Sequence, residues 1–121
     1  MCPENAKIFL VDDDEGTNRS LSFVLRIYGH TIVETATTLD EALEKIPSLD
    51  EKGVNVAIVD GNLSMEGQSG DDGEIVARQI KAQHPEIVVI GHATRNLIRN
   101  ADVNCPKPKG PTMLNEIILK S

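Results

Sequence analysis

Val54-Asn55-Val56-Ala57-Ile58-Val59-Asp60 is a short, nearly unbroken apolar run that ends in a carboxylate. A strand with one face in water alternates apolar and polar residues, whereas this one does not alternate. It therefore reads as a strand buried on both faces, as in a parallel sheet covered by helices on each side. Lys7-Ile8-Phe9-Leu10-Val11 repeats the pattern and runs into Asp12-Asp13-Asp14. Two buried strands ending in acid set the expectation for the whole chain.

Working outward, strands and helices alternate. The first helix begins at Thr17 or Asn18, with Leu21, Val24, Leu25 and Tyr28 inward at i, i+3, i+4, i+7. Gly29 sits where a left-handed cap is wanted. Thr31 to Thr35 reads as strand two. Leu39, Ala42, Leu43 and Ile46 form the inner face of helix two, which Pro47 ends. After the third strand a Gly-, Ser- and Asp-rich loop covers 61–73. A helix then runs from Gly73 or Glu74 to about His84, with Val76, Ala77 and Ile80 inward. Ile87 to Ile90 is strand four, 94–100 a short helix, and Val103-Asn104-Cys105 a weak strand five. Pro111 opens a last helix with Leu114, Ile117 and Ile118 inward. Five strand–helix units predict an α/β fold, a doubly wound parallel sheet with helices on both faces. In such sheets functional groups gather beyond the carboxyl ends of the strands.

Composition agrees with one soluble domain over 1–121. The chain has 121 residues, 40% of them apolar and 26% charged. Phe9, Phe23 and Tyr28 are its aromatics, so the core must come from Ile, Val, Leu and Ala. Twelve basic against 19 acidic residues give a net charge of −7. No basic stripe is present, so direct nucleic-acid binding is not expected. Apolar runs are too short to span a membrane, and the N-terminus lacks a signal-peptide core. Cys2 and Cys105 make no disulfide framework, and a cytoplasmic home is expected.

Three groups of residues should meet at the carboxyl edge: the acids after strand one, Asp60 after strand three and Lys107 after strand five. Magnesium takes one or two carboxylates and keeps room for water and phosphate oxygens. A carboxylate can attack phosphorus to give an aspartyl phosphate, and a lysine is a compact counter-charge for the phosphoryl oxygens. The alternative is that these acids are turn-formers and helix caps, as Asp14 and Glu15 are read here.

Phe9-Leu10-Val11-Asp12-Asp13-Asp14-Glu15, Val56-Ala57-Ile58-Val59-Asp60-Gly61-Asn62-Leu63 and Cys105-Pro106-Lys107-Pro108 together resemble the receiver domain of two-component response regulators, over essentially the whole chain. The resemblance implies a flavodoxin-like sheet of order 2-1-3-4-5. It implies that Asp60 is the phosphoacceptor and a magnesium ligand, that Asp13 ligates magnesium directly, and that Asp12 acts largely through water. Asn62 would offer its backbone carbonyl to the metal and Lys107 would contact the phosphoryl group. It further implies a histidine kinase or phosphotransfer protein as donor, and output through a downstream protein target. The chain would catalyse only its own phosphoryl transfer and dephosphorylation, and is otherwise not an enzyme. Since it ends soon after its fifth helix, no attached output domain is expected.

The sequence departs from that family in three places. The loop after Asp60 is long: Asp72-Gly73 stands where the family has Asp-Gly before helix three, Ser64 replaces a usual proline, and residues 64–72 hold an insertion. The Ser or Thr that ends strand four is missing or displaced, with Ala93 or His92 at the switch position and Thr94 next door. Helix four is shortened, and Asn104 falls where a Tyr or Phe is usual. These changes raise a second reading, a phosphorylation-independent protein-binding module. A phosphatase reading of Asp12-Asp13-Asp14-Glu15-Gly16-Thr17 fails because the glycine is one residue late. A calcium-loop reading from Asp60 fails at Met65 and Asp71.

Overall fold

In the computed structural model, residues 6–12, 15–60, 71–93 and 102–106 are described; for 17, 60, 71, 72, 92, 93 and 103–106 this means the backbone alone. Five parallel strands form one sheet in the order β2-β1-β3-β4-β5. They are β1 Lys7–Val11, β2 Thr31–Ala36, β3 Val56–Asp60, β4 Val88–Ala93 and β5 Val103–Pro106. The helices are α1 Glu15–Ile27, α2 Leu39–Lys45 and α3 Asp71–Gln83. The flavodoxin-like order expected from the resemblance is thus observed. The expected helix over 94–100 and the last helix lie outside the described residues.

Strand parity divides the core. Ile8, Leu10, Val56, Ile58 and Ile90 pack with Leu21 and Leu25 of α1. Phe9, Val11, Ala57, Val59 and Val89 pack on the other face with Val76, Ala77 and Ile80 of α3 and Ala42 of α2. Every residue from Ile8 to Val11 is fully buried, as the unalternating pattern requires.

Helix ends follow local chemistry. Gly29 adopts φ 96°, its N–H donates to Arg26 and that of His30 donates to Leu25. This is a Schellman closure, which a glycine accommodates without Cβ strain. At α2, Thr38 Oγ1 accepts from Glu41 N–H at 3.1 Å while Glu41 Oε1 accepts from Thr37 N–H at 2.7 Å. That pair is a variant of the capping box.

Several boundaries differ from expectation. Helix α1 starts at Glu15, two residues early, with its acid in the first turn where the helix dipole favours it. Tyr28 lies beyond the helix and is exposed instead of inward. Pro47 does not simply end a helix: α2 stops at Lys45, and Pro47 sits early in a 3-10 turn over Ile46–Ser48. Strand β3 begins at Val56 because Val54 N–H is taken by Leu49 in a turn. Helix α3 starts at Asp71, so part of the expected loop is helical. Strand β4 runs on through Gly91-His92-Ala93, poor strand formers held extended by pairing with β3 and β5 at Gly91 and His92 and with β5 at Ala93.

The sequence gives no warning of a bulge in β2. Ile8 pairs with Ile32 but Phe9 pairs with Glu34, so Val33 is an extra residue. Val33 and Glu34 therefore both face α2, and Thr35 is turned toward α1. Glu34 meets Lys45 at 3.0 Å and also binds Lys52. Lys45 Nζ further donates to the Thr35 carbonyl at 2.6 Å. Charged side chains thus guard the edge strand against further pairing.

The lysines, Lys52 first and then Lys45, hold the Glu34 carboxyl below its ordinary value of 4.5. A carboxyl lowered in the folded state adds stability that is complete above its unfolded value and is lost as pH falls through the folded one. Glu34→Gln is expected to cost about 0.5–1 kcal/mol near neutrality. That difference should shrink as pH falls below 4.5, and urea midpoints measured across this range check it.

Candidate functional site

Two acidic residues end adjacent strands at the centre of the sheet's carboxyl edge. Val11 and Val59 are register partners, so Asp12 and Asp60 follow side by side on adjacent strands. Neighbouring strands run about 4.8 Å apart. In the order β2-β1-β3-β4-β5 the chain reverses its winding between β1 and β3, and in doubly wound sheets the ligand crevice opens at that switch point.

Asp12 is 1% exposed. Its N–H donates to the Ala36 carbonyl at 3.0 Å, which extends the ladder one residue past β1. Its own carbonyl accepts from Asn18 Nδ2 at 2.9 Å, and Asp12 makes further polar contact. The first turn and a half of α1 is thus tied back onto the end of β1. Asn18 is itself 6% exposed, and its Oδ1 has no hydrogen-bond partner among the described residues. A buried acceptor left unmatched costs about 1–3 kcal/mol. Asn18 was read from the sequence only as a possible helix start. Its signal was an Asn, a weak helix former, in the first turns after an acid cluster.

Asp60 is the last residue of β3 and pairs with His92 of β4. Ala93 lies one residue further toward the edge and pairs with Pro106, the last residue of β5. His92 is therefore the register neighbour of the expected acceptor, and Lys107 is the next residue after the strand that borders Ala93. Asp13, Asn62, Thr94 and Lys107 lie outside the described residues, as does the loop over 61–70. The described part brings together Asp12, Asn18 and the backbone positions of Asp60, His92 and Ala93.

Hard carboxylate oxygens from two adjacent strand ends suit magnesium, which binds through few protein ligands and retains water. Asp12, in place at the switch point, fits that use. Asp13, Asp60 and Asn62 are the other expected ligands.

No protein-family model matches the chain, and no curated protein matches it significantly. Solved structures do. A CheY-like response regulator receiver domain from Methanospirillum hungatei JF-1 is 25% identical, with a TM-score of 0.78 over 96% of this chain and 92% of that one. The chain has the fold of a response regulator receiver domain. A second receiver domain, from Clostridium thermocellum, is 26% identical over 95% of this chain and 92% of that one, with a TM-score of 0.76. The BeF3-activated receiver domain of DrrB, a Thermotoga maritima protein, is 25% identical over 97% and 99%, with a TM-score of 0.69. Likeness to these domains supports a response-regulator role in general. No helix among the described residues is long and apolar enough to cross a membrane.

Proposed function

We propose that this receiver accepts a phosphoryl group on Asp60 from a histidine kinase or phosphotransfer protein, with magnesium as cofactor, and signals through a protein contact. The observation that carries the reading is the register of β1 and β3, which sets Asp12 and Asp60 side by side at the switch point. In the transfer, an Asp60 carboxylate oxygen attacks phosphorus and forms the acyl phosphate bond. The phosphorus–nitrogen bond of the donor phosphohistidine breaks, and the imidazole leaves with the electron pair. Bound magnesium supplies charge neutralisation for the phosphoryl oxygens. Asp13 would hold it directly and Asp12 largely through water, Asn62 would contribute its backbone carbonyl, and Lys107 would contact the phosphoryl group as a counter-charge. Asn18 keeps Asp12 in place through its backbone. Beyond this self-directed transfer and dephosphorylation, in which water hydrolyses the acyl phosphate to free Asp60 and inorganic phosphate, the chain is proposed to have no enzymatic turnover and to work in the cytoplasm.

A second reading, a phosphorylation-independent binding module, draws on β4. The register neighbour of Asp60 is His92, followed by Ala93, so no hydroxyl stands at either strand position. Intact-mass spectrometry separates the two. Incubation with acetyl phosphate and magnesium is expected to give a single phosphoryl adduct, and excess chelator should remove it. Failure of both acetyl phosphate and a phosphorylated phosphotransfer donor to label the chain, together with no magnesium binding, would leave the binding module as the better account.

A further inference from the structure

Strand register places four metal-binding residue types in one row at the carboxyl edge of the sheet. On the face that packs against α1, Leu10, Ile58, Ile90 and Val103 occupy a row across β1, β3, β4 and β5. Leu10, Ile58 and Ile90 are buried there with Leu21 and Leu25. Two residues further along each strand, the next row on the same face is Asp12, Asp60, His92 and Cys105. Asp60 pairs with His92 and His92 with Cys105. Asp12 follows Val11 as Asp60 follows its partner Val59. Register partners on neighbouring parallel strands share a face and lie about 4.8 Å apart. A wholly apolar row is thus followed by one in which every position can bind a metal. Among the residues described with their side chains, no other place gathers three His, Cys, Asp or Glu.

The row changes character across the sheet. Its β1–β3 half is two carboxyl residues, hard oxygen donors that suit magnesium. Its β4–β5 half is a histidine and a cysteine, and a nitrogen–sulfur pair selects zinc over magnesium. Strand neighbours can share an ion whose bonds to nitrogen and sulfur are about 2.1 and 2.3 Å long. Asp60 stands on the far side of His92 from Cys105, so the order along the row is carboxylate, imidazole, thiol. A histidine that ligates zinc through one ring nitrogen commonly donates its other N–H to a carboxylate, which fixes the ring and raises its basicity. One residue further along, on the opposite face, Ala93 pairs with Pro106, and neither is a metal ligand.

We propose that His92 and Cys105, paired at the ends of β4 and β5, form a zinc site separate from the magnesium carboxylates, with Asp60 as the carboxylate behind His92. Cys105 would bind as the thiolate, its proton passing to solvent as the ion enters, and water would complete the tetrahedron. With two protein ligands and the rest water, such a site exchanges its ion and is not a closed structural centre. The inference goes beyond phosphoryl transfer and does not require it, although both draw on Asp60.

Titration of the reduced, unphosphorylated full chain with cobalt(II), in excess magnesium, tests the proposal. Cobalt stands in for zinc and reports its ligands by absorption. One cobalt per chain is expected, with a thiolate-to-cobalt charge-transfer band that zinc abolishes and magnesium does not. Cys105→Ser should remove the band, and Cys2→Ser should keep it. Zinc affinity is read by competition with a chromophoric chelator. His92→Ala and the bulkier His92→Gln should each weaken it at least about tenfold, and Asp60→Asn, which removes the outer carboxylate, by about tenfold with the band retained. Far-ultraviolet circular dichroism checks that each variant keeps its fold. Absence of the band, a band that follows Cys2, or its loss in excess magnesium each overturn the proposal. So do zinc affinities unchanged in both His92 variants or in Asp60→Asn, and a stoichiometry of one ion per two chains, which would name an interface between copies. Because no phosphodonor is present, failure here leaves the acceptor role of Asp60 standing, and a missing phosphoryl adduct leaves the zinc site standing.

Discussion

Asp60→Asn is expected to abolish phosphoryl uptake from acetyl phosphate while leaving the sheet intact. The amide is nearly isosteric with the carboxylate, but it has no anionic oxygen to attack phosphorus and cannot form the acyl phosphate. The strand tolerates the change because β3 is held through its backbone by β1 on one side and β4 on the other. A second consequence follows from the side-by-side placement of Asp12 and Asp60. Two carboxylates on adjacent strand ends repel when no cation lies between them. At an effective dielectric constant near 20, that repulsion is worth roughly 1–3 kcal/mol. The variant should therefore be more stable than wild type without divalent cation, and magnesium should narrow the gap. Urea midpoints with and without magnesium measure this beside the mass spectra. Uptake undiminished in Asp60→Asn would move the acceptor to another residue. Asp13→Ala, by contrast, is expected to weaken magnesium binding strongly, and unchanged affinity would move the metal elsewhere.

Phe9→Ala is expected to destabilise the domain by about 3–5 kcal/mol, a large share of the 5–15 kcal/mol typical of such domains. Phe9 is the largest fully buried side chain, in a strand whose other inward residues are Ile, Leu and Val. It packs with the β1, β3 and β4 residues that face α2 and α3. With few aromatics in the chain, no neighbour is large enough to fill the space left behind. Phe9→Leu, which keeps most of the volume, should cost clearly less, under about 2 kcal/mol. Denaturant unfolding at constant slope reads both, and a Phe9→Ala midpoint within error of wild type would mean that the core collapses around the gap.

The fold was legible because its strongest signals are local. Unalternating runs at Lys7–Val11 and Val56–Val59 demand burial on both faces, and in a chain of alternating elements a parallel sheet supplies it. Asp12 and Asp60 could be picked out as candidates because strand ends carry function in such sheets, and the register of β1 and β3 sets their backbones on adjacent strands. What escaped was set by tertiary pairing. Strand β4 extends through Gly91, His92 and Ala93, as only the family resemblance suggested: β3 and β5 both pair Gly91 and His92, β5 alone pairs Ala93, and nothing in those residue types announces a strand. Asn18 looked like a helix start, and its role emerges only when α1 folds back on the end of β1. His30 and His84 drew no attention in the sequence, yet both are buried and hold backbone groups. His30 Nδ1 accepts from Ala6 N–H at 3.0 Å, and His84 Nε2 lies 2.8 Å from the Ile46 carbonyl.

The bulge at Val33 has a meaning for anyone comparing this chain with others. It lets the strand gain one residue without changing what either side of the sheet presents. Ile32 and Thr35 keep to one side, Glu34 and Ala36 to the other, and Val33 is absorbed. Deleting Val33 should accordingly leave every later side chain of β2 where it stands. An ungapped alignment to a relative with a regular second strand would assign Glu34, Thr35 and Ala36 each to the wrong side. Position 33 is where a gap belongs, and a profile that places one there will compare like with like.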